Sequence, residues 1–298
     1  MPRQFTLQDD GFCGYFTEGA KYSQKAIIYM TGADGHEKTA LASSKLFIEQ
    51  GYSVLTLGFI KWKGLSKNLW GIPVEYVERA VPWLLAYKDG LIEKVGIIGS
   101  STGAAYALLC ASLLPELTCV IAVSPYDHVL EGAIPGKYTR SGKSMYTYRG
   151  EDIPFTPLEI LERVEELKAE VMNNPDYGLR RAMRYGYDHI VPIPESRIKV
   201  ENINGRVLML ASENDDMWCS EVATRRMEKV FQENSFPHKY ECIVYEKASH
   251  LLGNIKLKGL KYPLLFRLML PAEKKYPREC GQARVDSTKR MLEFVEEW

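Results

Sequence analysis

The stretch from Val95 to Leu114 constrains this chain more than any other. A short apolar run, Val95-Gly96-Ile97-Ile98, enters Gly99-Ser100-Ser101-Thr102-Gly103, and an Ala- and Leu-rich segment, Ala104 to Cys110, leaves it. Strand, sharp turn and helix in that order, with the motif Gly-x-Ser-x-Gly at the turn, put Ser101 at its apex. Such a turn forces its central residue into a strained backbone conformation, and the glycines let strand and helix crowd together. Gly-x-Ser-x-Gly alone also fits an ordinary glycine turn. Its place between a buried strand and a helix makes Ser101 a candidate nucleophile.

The rest of the chain builds a sheet around that turn. Residues 4–18 read as two short strands bent at Asp9-Asp10-Gly11. Ala26-Ile27-Ile28-Tyr29-Met30 is a continuous apolar run, as expected of a strand buried on both faces. It ends in Gly32-Ala33-Asp34-Gly35, a helix with Leu41, Leu46, Phe47 and Ile48 follows, and Ser53 to Phe59 is the next strand. That alternation is the unit of a parallel sheet. Pro73 suits a first helical position for a helix to about Tyr87, which Pro82 should kink or shorten. Thr118 to Ser124, Arg206 to Ala211 and Tyr240 to Tyr245 supply further strands, and an amphipathic helix over about Val285 to Glu297 closes the chain.

The alternation breaks between Pro125 and Asn204. This stretch is rich in Tyr, Arg, Gly and Pro and holds one charged helix around Pro157 to Asn173, with Leu158, Leu161, Val164, Leu167 and Val171 on one face. An insertion after a sheet strand commonly covers an active site, and it also fits a surface subdomain. The fold class is therefore α/β: a mostly parallel central sheet flanked by helices, one domain over residues 1–298, with a helical cap over about 125–204.

Composition excludes some functions. Thirty-eight basic residues balance 38 acidic ones, so no global field favours nucleic acid or an anionic membrane. Cys13, Cys110, Cys119, Cys219, Cys242 and Cys280 form no C-x-x-C pair, and no histidine is spaced with them for zinc. No metal or cofactor is called for. The N-terminus has no apolar signal core and no run is long enough to span a bilayer, so the expectation is a cytoplasmic protein without stable membrane insertion. Gly32 to Thr39 and Gly142-Lys143-Ser144 both miss the spacing of a phosphate-binding loop.

A serine hydroxyl needs a base, and the base needs an orienting carboxylate. In the α/β-hydrolase arrangement these follow in the order Ser, Asp, His, each in a loop after a strand. Ser101, Asp215 and His250 satisfy both order and placement. Asp216 competes with Asp215; Asp215 is favoured because it comes four residues past the apolar run of its strand. Of five histidines, His36, His128, His189 and His238 lie elsewhere, and His250 alone follows the last strand. The oxyanion donors expected are the backbone N–H groups of Thr102, at the helix start, and Ala33, in the loop after the Ala26 to Met30 strand.

From about residue 25 onward the chain resembles the C-terminal catalytic domain of the acyl-CoA thioesterases and bile acid-CoA:amino acid N-acyltransferases. The likeness lies in Gly32-Ala33-Asp34-Gly35, the Gly99 to Gly103 turn, Tyr148-Arg149-Gly150-Glu151, Ile193-Pro194-Glu195, Asp215-Asp216-Met217-Trp218 and the His250 turn. The resemblance implies hydrolysis of an acyl thioester through an acyl-serine intermediate, with Ser101, Asp215 and His250 at the family's triad positions. Animal members carry an N-terminal β-sandwich domain, whereas only about 25 residues precede the first core strand here. The family usually has glycine where this chain has Ser249. Members that transfer acyl groups to amino acids use cysteine as nucleophile, so Ser101 points to water as acceptor. A CoA substrate would need cations for its phosphates, and the insertion offers Arg140, Lys143, Arg149, Arg180, Arg181 and Arg184. The partner expected is thus a small acyl ester or thioester, including acyl-CoA, with dienelactone-type esters and peptides as other substrates. A silent hydrolase fold acting as a binding module is the reading from a different class.

Overall fold

The computed structural model describes residues 2–133, 140–163, 166, 169, 181–253, 267 and 270–298. The chain begins with β1 (Arg3–Phe5), α1 (Leu7–Asp10), β2 (Cys13–Thr17) and β3 (Tyr22–Met30). Next come α2 (Glu37–Glu49), β4 (Tyr52–Gly58), β5 (Ile72–Pro73) and α3 (Glu75–Leu85). The central turn joins β6 (Lys94–Ser100) to α4 (Thr102–Leu113), and β7 (Leu117–Val123) follows. Between β7 and the next sheet strand lie β8 (Glu131–Ala133), β9 (Arg140–Ser144), β10 (Tyr146–Tyr148), β11 (Glu151–Asp152) and α5 (Arg181–Asp188). The sheet resumes with β12 (Arg206–Ser212), α6 (Ser220–Glu233) and β13 (Tyr240–Tyr245), and the chain ends in α7 (Pro271–Lys275) and α8 (Pro277–Glu296).

Eight strands form the main sheet in the order β1-β2-β4-β3-β6-β7-β12-β13. Pairing is parallel from β4 through to β13, and antiparallel only where β2 joins β4 and β1 joins β2. Period-two alternation makes both faces apolar. Ile28, Leu55, Ile97, Val120 and Met209 join one buried cluster with side chains of α3, α4 and α6. Their neighbours Ile27, Val54, Ile98, Ile121 and Leu208 join the other, with Phe47 of α2 and Met291 and Phe294 of α8. Helices therefore cover both sides, and the loops after β3, β6, β7, β12 and β13 emerge together at one rim.

Two local expectations change. The β1–β2 hairpin exists, but a helical turn fills its bend: Thr6 Oγ1 accepts the Asp9 N–H at 3.2 Å and Gly11 closes it at φ 75°. Pro73 does not open a helix. It sits in β5, where Ile72 and Val74 donate to Met145 and Thr147 and the position between them needs no donor. The helix starts at Glu75 and runs through Pro82 to Leu85.

Among the described residues, the segment after β7 contributes short strands, the helix α5 and short 3-10 turns. The expected helix over Pro157 to Asn173 shows a 3-10 turn at Glu159–Arg163, with Leu158 buried; most of its remainder, including Val164, Leu167 and Val171, lies outside the described residues. Glu131, with no exposed surface, organises the root of this segment by accepting N–H groups of Gly142 (2.7 Å) and Leu158 (2.9 Å) and Arg140 Nε (2.9 Å). Burial raises its carboxyl, but the two N–H donors and Arg140 outweigh that and hold it below the ordinary glutamate value of 4.5. A depressed carboxyl contributes stability above its unfolded value, and that contribution is lost as pH falls through the folded one. Glu131→Gln is accordingly expected to cost about 2 kcal/mol at neutral pH, with the deficit shrinking in denaturant titrations below about pH 4.5.

Candidate active site

The turn after β6 is held by close packing that only glycine permits. A Cβ on Gly99 would lie 2.0 Å from the Gly103 carbonyl oxygen, and one on Gly103 would lie 2.1 Å from that of Thr31. Between them Ser101 takes φ 57° and ψ −125°, a conformation rare for a residue with a side chain, while its N–H donates to Val123 O at 2.8 Å. The strain lifts the serine out of the sheet and places it against the loop after β3, where a Cβ on Gly32 would come within 2.8 Å of Ser101 Cβ.

The loop after β3 and the start of α4 both adjoin Ser101. Thr102 is the first residue of α4, so its N–H has no partner within the helix and lies at the positive end of the helix dipole. In the loop after β3 the Gly32 carbonyl accepts the Gly35 N–H at 3.1 Å. A trans peptide directs the Ala33 N–H away from that carbonyl, and the chain contains no cis bond among its described residues. Lys61, itself at φ 61°, anchors the loop from outside, its Nζ 2.6 Å from the Ala33 carbonyl oxygen and 3.2 Å from that of Asp34.

Asp215 and His250 meet at the same rim. His250 Nδ1 lies 2.8 Å from each carboxylate oxygen of Asp215. Asp215 is buried and is held by the N–H groups of Met217 (2.9 Å) and Trp218 (3.2 Å) and by the Ser220 hydroxyl (2.6 Å). A carboxylate only accepts, so Nδ1 carries the proton of the neutral ring and Nε2 is left as the basic nitrogen. Asp216 turns the other way, its Oδ2 accepting the Ala272 N–H at 3.3 Å. The geometry thus distinguishes the two neighbours that the sequence leaves in competition.

Ser124, the residue after β7, connects these pieces. Its hydroxyl donates to the His250 carbonyl at 2.8 Å, its carbonyl accepts Trp218 Nε1 at 3.0 Å, and the carbonyl before it accepts the Ser101 N–H. Trp218 stands edge-on to the His250 ring at 5.7 Å, with Tyr126 and Tyr187 packed against it. Among the described residues no hydrogen bond joins Ser101 Oγ to the His250 ring; catalytic pairs commonly tighten only in the complex with substrate. Ser124, Ser220 and Lys61 carried no signal in the sequence, and Trp218 only as part of the Asp215-Asp216-Met217-Trp218 stretch that carries the family resemblance.

The other expected groups lie elsewhere. His36 is exposed at the start of α2, His128 Nδ1 is 3.0 Å from Asp127, whose carboxylate Arg226 grips with two bonds of 2.6 Å, and His238 packs on Phe236. His189 follows α5 and is exposed. Arg140 is paired with Glu131 and Glu162. Arg184 is paired with Asp188 and Glu221 and donates to the Asp215 carbonyl at 3.1 Å. Arg149 lies over the Tyr148 ring, and Lys143 is exposed. Arg180 and the Arg181 side chain lie outside the described residues. No cluster of His, Cys, Asp and Glu suited to a metal ion occurs among the described residues.

Residues 72–254 match the family described as BAAT / acyl-CoA thioester hydrolase C terminal. The chain belongs to this family. Relatives include acyl-coenzyme A thioesterase 3 of Mus musculus, 25% identical over 213 residues that cover 70% of this chain and 43% of the relative. Acyl-coenzyme A thioesterase 1 of Homo sapiens is 25% identical over 233 residues, 76% of this chain and 48% of the relative. The chain thus spans about half the length of the curated relatives it matches. Among solved structures, a putative dienelactone hydrolase from Klebsiella pneumoniae superposes with a TM-score of 0.55 at 13% identity, covering 100% of this chain and 99% of that one. That likeness concerns the fold, which is the α/β-hydrolase fold expected from the sequence.

Proposed function

We propose that this chain is a serine hydrolase that cleaves an acyl ester or thioester, with acyl-CoA as its first substrate to test. The observation that carries the proposal is the contact of His250 Nδ1 with both oxygens of Asp215, at the rim where Ser101 is lifted out by its turn. Membership of a family named for acyl-CoA thioester hydrolysis supports the substrate class.

In this reading Ser101 Oγ attacks the acyl carbonyl while His250 Nε2 takes its proton, and Asp215 stabilises the imidazolium that forms. The negative charge on the former carbonyl oxygen is met by the Thr102 and Ala33 N–H groups, each worth about 100-fold or more in rate when aimed correctly. Collapse expels the leaving thiolate or alkoxide, which takes the proton from His250, and leaves an acyl-serine. Water then attacks that ester with His250 again as base, releasing the acid and free Ser101.

We read the chain as one hydrolase domain capped by the segment between β7 and β12. No helix among the described residues is long and apolar enough to cross a membrane. Six free cysteines, five of them buried, support a reducing compartment such as the cytoplasm. Arg140 and Arg184 are already paired with carboxylates, so the phosphates of a CoA substrate fall to other cations. The test is a side-by-side assay of acyl-CoA, nitrophenyl ester and peptide substrates with fluorophosphonate labelling. Thioester turnover with labelling is the expected result; a protein that neither turns over any of them nor takes the label would be a binding module.

A further inference from the structure

The loops carrying Asp215 and His250 are both held from behind by one short helix, α7. We infer that α7 braces this pair, and that Ser249, Glu273 and Arg284 are positioning residues for His250. The inference rests on the reading of His250 as general base.

Ser249 has no exposed surface. Its hydroxyl donates to Glu273 Oε1 at 2.6 Å and accepts the Leu251 N–H at 3.2 Å, so one side chain bridges the residues on either side of His250. Glu273, in α7, is only 4% exposed. A carboxylate that deep needs a counter-charge, and Arg284 of α8 supplies it, donating Nη1 to Oε1 and Nη2 to Oε2, the second at 3.3 Å. The residue before Glu273 gives its N–H to Asp216, beside the acid of the pair. Cys280 Sγ lies 3.6 Å from the Ala272 carbonyl and 3.8 Å from that of Lys247, which closes α8 onto the same loop.

From the sheet side, Ser212 donates to the Ala248 carbonyl and Ser124 to the His250 carbonyl. The backbone from Ala248 to Leu251 is thus tied on two sides by polar contacts. It leaves β13, the end strand of the sheet, whose six residues are all half-exposed, while Ala248 and Leu252 bury their side chains in the core; apolar packing seats the loop, and the polar contacts fix its direction. A hydroxyl linked to a buried ion pair is directional where apolar packing is not. An error of about 1 Å in the place of a base can cost about 100-fold in rate.

The experiment compares wild type, Ser249→Ala and Glu273→Gln in the full chain, measuring ester hydrolysis against pH, fluorophosphonate labelling and thermal unfolding. Ser249→Ala is expected to lower kcat about tenfold with KM changed by less than about twofold. The acid limb of its pH–kcat profile should move to lower pH, because a ring that drifts from Asp215 loses part of what stabilises its charged form. Glu273→Gln keeps an acceptor for Ser249 but not the charge, and a smaller change of the same kind is expected. If Ser249→Ala does not fold, Glu273→Gln decides alone. A lowered Tm with wild-type kcat and an unmoved acid limb overturns the inference, leaving the cluster as structure only. A wild-type chain with neither turnover nor labelling overturns the hydrolase reading instead, and the two failures are told apart by the wild-type control.

Discussion

Replacing Ser101 with alanine is expected to lower kcat on a nitrophenyl ester or acyl-CoA by about a million-fold, and to abolish fluorophosphonate labelling, with the fold intact. The magnitude follows from the mechanism: without the hydroxyl no acyl-enzyme forms, and only background assistance from the oxyanion donors is left. The fold should survive because no hydrogen bond from the Ser101 side chain holds another element among the described residues. Its backbone N–H, which bonds the Val123 carbonyl, is unchanged by the substitution. Alanine inherits the positive φ at modest cost. Steady-state rates, probe labelling and circular dichroism on the same preparation check the prediction. A variant that still turns over at the wild-type rate would remove Ser101 from the reaction.

The second large effect separates two neighbouring residues. Asp215→Asn is expected to reduce kcat by about 10,000-fold with little change in KM, since an amide facing Nδ1 favours the wrong tautomer and cannot stabilise the imidazolium. Asp216→Asn is expected to cost about tenfold or less. An amide oxygen can still accept the Ala272 N–H, and the side chain of Asp216 turns toward α7 rather than toward His250. Measuring kcat and KM for both variants on one substrate decides the assignment; equal losses would mean that the two carboxylates act as a unit.

The turn that lifts out Ser101 could be read from the chain because its geometry is local. Strand, glycine, serine, glycine and helix lie within twenty residues, and the contacts that demand Gly99 and Gly103 are made at the turn itself. The sheet was legible for a similar reason: runs such as Ala26 to Met30 and Val207 to Leu210 alternate between two buried clusters, as their composition requires. The order Ser, Asp, His then pointed to Asp215 and His250, whose side chains the structure brings into contact.

What the sequence could not decide depended on partners far away in the chain. Asp215 rather than Asp216 faces His250 because Met217, Trp218 and Ser220 converge their donors on it as the chain turns from β12 into α6. Arg140 and Arg184 read as free cations until Glu131, Glu162, Asp188 and Glu221 are brought beside them. Pro73 reads as a helix start until β10 arrives to pair with it. Ser249 is marked in the sequence only as standing where the family usually has glycine, and its hydroxyl has no visible partner until Glu273 and Arg284 close over it. Backbone strain and apolar periodicity are written in consecutive residues and so determine the turn and the sheet. The direction of a charged or hydroxyl side chain is set by whichever donor or acceptor the fold places within 3 Å of it, and that only the tertiary structure decided.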